Sequence, residues 1–179
     1  MPPPEVVVLA GVAGSGKTTV GALLAERLGW DYAEADAFHP PANIDKMRSG
    51  RPLTDADRLP WLRTIATWID DRLATGRPGV VSCSALKRRY RDLLLDGRPG
   101  VRMVFMDGDR DAIAARMRGR EGHFLTVGLL DTQFADLEPP APDENVLVLP
   151  ADAPLDTTLT HVLSSLNLTP QRGSDPSPN

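Results

Sequence analysis

The sequence predicts an α/β domain of three layers, a five-stranded parallel sheet covered by helices on both faces and carrying a small lid. Three observations predict it. Short apolar runs rich in β-branched residues recur at residues 5–10, 79–83, 101–106 and 145–149, the length and composition of buried strands, and a further strand is read over residues 31–35. Helical patterns lie between them, and strands joined through helices run parallel with both faces of the sheet covered. The chain has 179 residues, 41% hydrophobic and 25% charged, which suits one domain with a substantial core and leaves no room for a second.

Taken in order, Val6-Val7-Val8-Leu9 is the first strand, and it runs into a glycine-rich loop. A helical pattern through Val20, Leu23, Leu24 and Leu28 follows and is closed by Gly29, the residue type that most readily takes the left-handed conformation after a helix. After the second strand, Pro40-Pro41 leads into a short helix over residues 42–48 that stops at Gly50. A longer amphipathic helix over residues 57–74 carries Leu62, Ile65, Ile69 and Leu73 on one stripe. Further helical patterns cover residues 85–95, 110–118, 127–137 and 155–166. The last stretch is rich in Pro, Ser, Gly and Asp without apolar period, so the domain is assigned to residues 1–169 and a disordered tail to 170–179. No internal repeat is present.

Composition excludes several classes of function. A net charge of −4 and a pI near 5.3 argue against nucleic acid or an anionic membrane as the main partner, because both select a basic face. No window approaches the ~18 apolar residues of a membrane span. The opening Met1-Pro2-Pro3-Pro4-Glu5 lacks the basic segment and long apolar stretch of a signal peptide, so a cytoplasmic location is expected. The single cysteine, Cys83, cannot form an internal disulfide and is expected to be a packed thiol at a strand end. Lysine is rare: of 20 basic residues only Lys17, Lys46 and Lys87 are not arginine, and each falls in a motif. A compact ammonium and a planar guanidinium bind differently, so this usage points to specific roles.

The strongest motif is G-x-x-x-x-G-K-T, spelled by Gly11, Val12, Ala13, Gly14, Ser15, Gly16, Lys17 and Thr18. Glycines let successive backbone N–H groups turn inward around a phosphate, and the helix behind them aims its positive end at the same point. In such a P-loop, Lys17 reaches the outer phosphates of ATP and the Thr18 hydroxyl ligates Mg²⁺. GTPase switches share the loop, but the D-x-x-G and N-K-x-D sequences that normally accompany it in them are missing. A small-molecule kinase is therefore the leading class.

Two further stretches supply chemistry. Glu34-Ala35-Asp36-Ala37-Phe38-His39-Pro40-Pro41 ends the second strand, and ligands of open α/β sheets bind at the carboxyl ends of the strands. Asp36 there is the candidate base that takes the proton of an acceptor hydroxyl. His39 either bonds substrate hydroxyls or braces the loop before the prolines. Arg116-Met117-Arg118-Gly119-Arg120-Glu121-Gly122-His123-Phe124 is similar to the mobile lid of nucleoside monophosphate kinase-like folds, with the lid at about residues 116–126. Arg116 and Arg120, four apart, share a helix face and are the candidate phosphate clamps, whereas Arg118 points elsewhere.

The run from Asn43 to Leu62, including Lys46-Met47-Arg48-Ser49-Gly50, Pro52-Leu53-Thr54-Asp55-Ala56-Asp57-Arg58 and Pro60-Trp61-Leu62, makes the reading specific. With the P-loop, the His-Pro element, Cys83-Ser84-Ala85-Leu86-Lys87, Arg89-Tyr90-Arg91-Asp92-Leu93-Leu94 and Gly122-His123-Phe124, the chain resembles the gluconate kinase family over nearly its whole domain. The resemblance implies transfer of the γ-phosphate of ATP to the terminal hydroxyl of gluconate and a homodimeric assembly. It also implies a substrate set of Asp36, His39, Arg58, Lys87 and Arg91, which suits a carboxylate beside a row of hydroxyls. Arg88 is expected to be a solvated helix start and Trp61 to pack beneath the site. Two departures bear on the metal: Glu34 stands where the family has Asp, and Ser82 and Ser84 follow Val80-Val81 where an acidic residue is usual. Adenine is expected near residues 150–153. The alternatives are a kinase of another small hydroxy acid such as shikimate, or an ATP-binding regulator without an acceptor.

Overall fold

A computed structural model describes residues 2–118 and 127–172. Among these residues the chain forms five strands, β1 (Val6–Ala10), β2 (Asp31–Glu34), β3 (Gly79–Ser82), β4 (Val101–Asp107) and β5 (Val146–Pro150). Seven helices accompany them: α1 (Lys17–Leu28), α2 (Pro41–Arg48), α3 (Asp55–Thr75), α4 (Arg88–Leu95), α5 (Arg110–Arg118), α6 (Val127–Asp136) and α7 (Leu155–Ser165). All strand pairs are parallel, in the order β2-β3-β1-β4-β5. The glycine loop thus leaves the central strand, and Glu34 and Ser82 are register partners at the same edge of the sheet.

Alternation along β1 shows why the sheet is covered twice. Val6, Val8 and Ala10 face a core shared with Trp61, Leu62, Ile65 and Ile69 of α3 and Tyr90 and Leu94 of α4. Val7 and Leu9 face the opposite core, with Val20 and Leu24 of α1 and Leu159 and Val162 of α7. All five β1 residues are fully buried, so the strand reads as a continuous apolar run instead of an alternating one. A third cluster joins Val12 of the loop to Ile113, Ala114 and Met117 of α5 and Leu130 of α6, fixing both flanks of the expected lid against the loop.

Two helix starts differ from the sequence reading, each for a local reason. The third helix begins at Asp55, two residues early, because Thr54 and Asp57 form a reciprocal capping box. The fourth begins at Arg88, three residues late: Ala85 has φ +43 and Lys87 is extended. A 3-10 turn over Ala35–Phe38, not anticipated, carries Asp36 out of β2. The expected lid residues 119–126 and tail residues 173–179 lie outside the described residues. No helix among the described residues is long and apolar enough to cross a membrane.

Candidate active site

The loop from Gly11 to Thr18 is held by backbone geometry that only glycine tolerates at key points. Gly11 has φ +140, and a Cβ there would stand 2.8 Å from the Met106 carbonyl oxygen, a backbone atom that cannot yield. Gly14 has φ +76 and a Cβ there would press on Met117. Lys17 opens α1 and folds its ammonium back toward the Val12 carbonyl at 3.4 Å. Burial lowers the pKa of this ammonium, while the charge of Asp36 and, to a smaller extent, that of Glu34 pull it back up. An anionic phosphate in the loop would act in the same direction as those carboxylates.

Arg116 spans the loop and the far side of the sheet. Its guanidinium donates to the Gly14 carbonyl at 3.4 Å and to the Ala151 carbonyl at 2.9 Å. Beside it opens a cleft of about 300 Å³ lined by Asp107, Gly108, Ile113, Arg116, Ala151 and Asp152, at the low end of the size of small-molecule sites. Two residues of the stretch expected to meet adenine, Ala151 and Asp152, are among its walls.

On the other side of the loop the 3-10 turn presents Asp36, exposed, and His39, half-buried. His39 stacks on Trp61 with ring centroids 4.3 Å apart, and the Trp61 indole N–H donates to the Ala35 carbonyl at 2.7 Å, so Trp61 packs beneath the site as expected. Asn43 Nδ2 lies 3.2 Å from His39 Nδ1 and 2.9 Å from the Asp57 carbonyl. An amide nitrogen only donates, so Nδ1 is the acceptor and a neutral His39 carries its proton on Nε2. Burial holds the imidazole pKa below its ordinary value.

Next to this turn a cluster of cations is gathered around one carboxylate and one phenol. Asp55 accepts from Lys87 Nζ at 3.1 Å and also from Arg89 and the Tyr90 hydroxyl. These donors, Tyr90 and Lys87 foremost, hold its pKa at about 2. Arg58 donates to the Tyr90 hydroxyl at 3.3 Å and pairs with Asp136 of α6 at 3.2 Å. Arg58 and Lys87 are therefore brought together around Tyr90, and the Arg58 charge also acts on His39 at the end of the Asp36 turn.

Arg91 does not join them. It is fully buried, and all five of its N–H donors are spent on Glu144, the Ala85, Leu86 and Glu138 carbonyls. Its place in the substrate set is corrected: it ties the start of α4 to the segment after α6, and no donor is left for a ligand. Arg88 opens α4 with a side chain 43% exposed, as expected, and pairs with Asp143 through two hydrogen bonds at 2.7 and 3.1 Å. Arg120 lies outside the described residues.

The strand-end residues show how a metal could be served. Tyr32 donates to Glu34 at 2.5 Å and lies 2.9 Å from Ser82 Oγ, which in turn donates to the Lys17 carbonyl at 3.2 Å. Glu34 is thus linked through Tyr32 and Ser82 to the Lys17 carbonyl at the start of α1, beside Thr18 in sequence. Among the described residues no group of three or more His, Cys, Asp or Glu is placed to hold a metal by itself. That donor set fits Mg²⁺, which keeps several waters and takes only one or two protein oxygens beside the phosphates. Cys83 is buried, and burial pushes its thiol up to about 12, so it is a packing residue as expected.

Comparisons with known proteins agree with this geometry. A family model described as an AAA domain matches residues 6–140. A gluconokinase of Gluconobacter oxydans is 44% identical over 160 residues, covering 89% of this chain and 90% of the relative. The chain belongs to the gluconokinase family. A crystal structure of a gluconokinase from Sinorhizobium meliloti superposes with a TM-score of 0.81 at 45% identity over 92% of each chain. An unliganded sugar kinase from Janibacter sp. superposes with a TM-score of 0.86 at 46% identity, covering 93% of this chain and 96% of that one. Within this gluconokinase-family site, Asn43, Asp55, Tyr90, Gln133 and Asp136 were not singled out from sequence. Thr54-Asp55-Ala56-Asp57 carried a capping signature that reveals the helix start, but no local pattern reports that Asp55 reaches across to α4.

Proposed function

We propose that this chain is an ATP-dependent gluconokinase that transfers the γ-phosphate of ATP to the 6-hydroxyl of D-gluconate. The observation that supports the reading is the position of Asp36, near enough to Lys17 of the phosphate loop and to His39 of the proposed acceptor side for its charge to raise the pKa of both. In the proposed step Asp36 takes the proton of the 6-hydroxyl as that oxygen bonds to the γ-phosphorus. The bond from phosphorus to the β–γ bridging oxygen breaks, and ADP leaves with the electron pair. Lys17 and the inward N–H groups of the loop hold the phosphates in line. Arg58 and Lys87 receive the gluconate carboxylate, and the Nε2–H of His39 donates to a hydroxyl.

Thr18 directly, and Glu34 through water, are the residues that would hold Mg²⁺, whose charge would offset that of the phosphates when bound. Arg116 covers the nucleotide from the lid side, Arg120 is assigned the same task, and adenine occupies the cleft by Ala151. A cytoplasmic location and closure of the segment at about residues 116–126 over bound ATP belong to the same reading.

An assay of ADP release with gluconate, shikimate and nucleoside monophosphates offered in parallel tests the acceptor. Turnover with gluconate is expected; turnover with shikimate alone overturns the proposal. Gluconate binding in calorimetry separates the kinase from an ATP-binding regulator, which has no acceptor to bind.

A further inference from the structure

One contact to the phosphate loop comes from neither α1 nor α5. Gln133 of α6 reaches across 120 residues of sequence, and its Oε1 accepts from the Ala13 backbone N–H at 2.6 Å. Ala13 is the third residue of the glycine loop, whose backbone N–H groups cradle phosphates in P-loop proteins. One turn further along the same helix, Asp136 holds Arg58 of the acceptor cluster. The helix therefore touches the phosphate loop through Gln133 and Arg58 through Asp136, so Gln133 lies between the loop and a cation of the proposed acceptor cluster.

The chemistry of the contact orients the amide. A backbone N–H only donates, so the limb of the Gln133 carboxamide that faces Ala13 is the oxygen, and the NH₂ limb is turned away from the loop backbone. That nitrogen makes no hydrogen bond among the described residues, and the side chain is only partly buried. Leu130, fully buried one turn earlier, anchors the helix against Val12 and Met117, so the carboxamide is held at both its root and its tip. A donor fixed in this way needs no reorganisation to meet a developing anion.

We propose that Gln133 is a catalytic residue whose Nε2–H donates to the phosphoryl group in transfer, the Ala13 N–H serving to aim it. The inference rests on the phosphotransfer reading above. Wild-type turnover of gluconate tests that reading, while comparison of variants with the wild type tests Gln133 alone.

Gln133→Glu separates the two ends of the side chain. It keeps an acceptor for Ala13 and replaces the donor by an anionic oxygen, whereas Gln133→Met keeps the length and loses both. Both variants are expected to lose turnover by about 10²–10³-fold, the range for removing one such donor. The KM for gluconate and the affinity for ADP are expected to stay within about threefold, because neither ground-state ligand carries the transferring group. A second readout is binding of ADP with aluminium fluoride in the presence of gluconate, a mimic of the transferring phosphoryl. Its advantage over ADP alone is expected to shrink by a similar factor in both variants, which a purely structural loss at Ala13 does not produce in Gln133→Glu. Turnover of Gln133→Glu within threefold of wild type overturns the proposal. So does a loss confined to the KM for gluconate with kcat unchanged, which assigns Gln133 to the acceptor. Should Gln133→Glu fail to fold, the same two measurements on Gln133→Met decide, with unchanged aluminium fluoride affinity as the overturning result.

Discussion

The two halves of the site are built on different principles. On the nucleotide side the binding groups are backbone N–H groups, shaped by positive φ at Gly11, Gly14 and Gly16, with one ammonium whose only hydrogen bond among the described residues is a long one to Val12. On the proposed acceptor side the candidate binding groups are long cations, and each is already tied: Lys87 to Asp55, Arg58 to Asp136 and Tyr90. A backbone cradle is prepared by the fold itself. Flexible cations have to be restrained by neighbouring carboxylates, and a substrate carboxylate must compete with or share those restraints. The contrast teaches that losses on the first side should appear as rate, and losses on the second as acceptor affinity.

The largest break of that comparison is on the nucleotide side. Lys17→Met is expected to lower kcat by roughly 10³-fold or more with the fold retained, as removal of a phosphate-directed cation does; circular dichroism and turnover check it together. Asp36→Asn, at the junction, is expected to lower kcat by about 10²–10⁴-fold with ATP affinity nearly unchanged, and equal turnover rules Asp36 out as the base.

Two cations of the same run, Lys87 of the proposed acceptor side and Arg91 sealed in the interior, sharpen the contrast, because they differ in exposure and free donors. Arg91→Met leaves Glu144, whose side chain is 4% exposed, without its partner, so a stability loss of about 3–5 kcal/mol is expected in urea unfolding, with little effect on the KM of the folded fraction. Lys87→Met is expected to do the reverse: stability close to wild type and a gluconate KM raised about 10–100-fold, the size of a lost charge-assisted hydrogen bond.

The smallest effect is a pH dependence confined to the acceptor side. Burial lowers the His39 pKa from its ordinary 6.5, and the nearby Asp36 charge only partly restores it. A depressed imidazole contributes fully above its unfolded value and loses that contribution as pH falls through the folded one. Protonation also puts a proton on Nδ1, facing the Asn43 amide. The KM for gluconate is therefore expected to rise a few-fold below that range while the KM for ATP stays level. A parallel rise in both removes His39 from the acceptor site.

Much of this was legible in the residues because it is local. The P-loop is a contiguous run whose glycine spacing encodes backbone geometry, and β1 and α1 flank it with unmistakable periods. Asp36 and His39 stand out as candidates because they sit at a strand end, where α/β sheets place ligands. What could not be read involved partners far apart in the chain. The sequence shows Lys87, Arg89, Tyr90 and Arg91 as one basic run, yet about one turn separates Lys87, partly exposed beside Asp55, from Arg91, sealed in the interior. Gln133 carried no signal at all, since its meaning depends on α6 returning to the loop 120 residues earlier.

The sequence by itself determined the parallel sheet, the phosphate loop and the family, because strand and helix periods and loop glycines act over a few neighbouring residues. Tertiary structure alone decided which arginines remain available to a substrate and which carboxylates restrain them, and it alone brought Gln133 to Ala13. Those outcomes depend on burial and on contacts between distant segments, which no local pattern encodes.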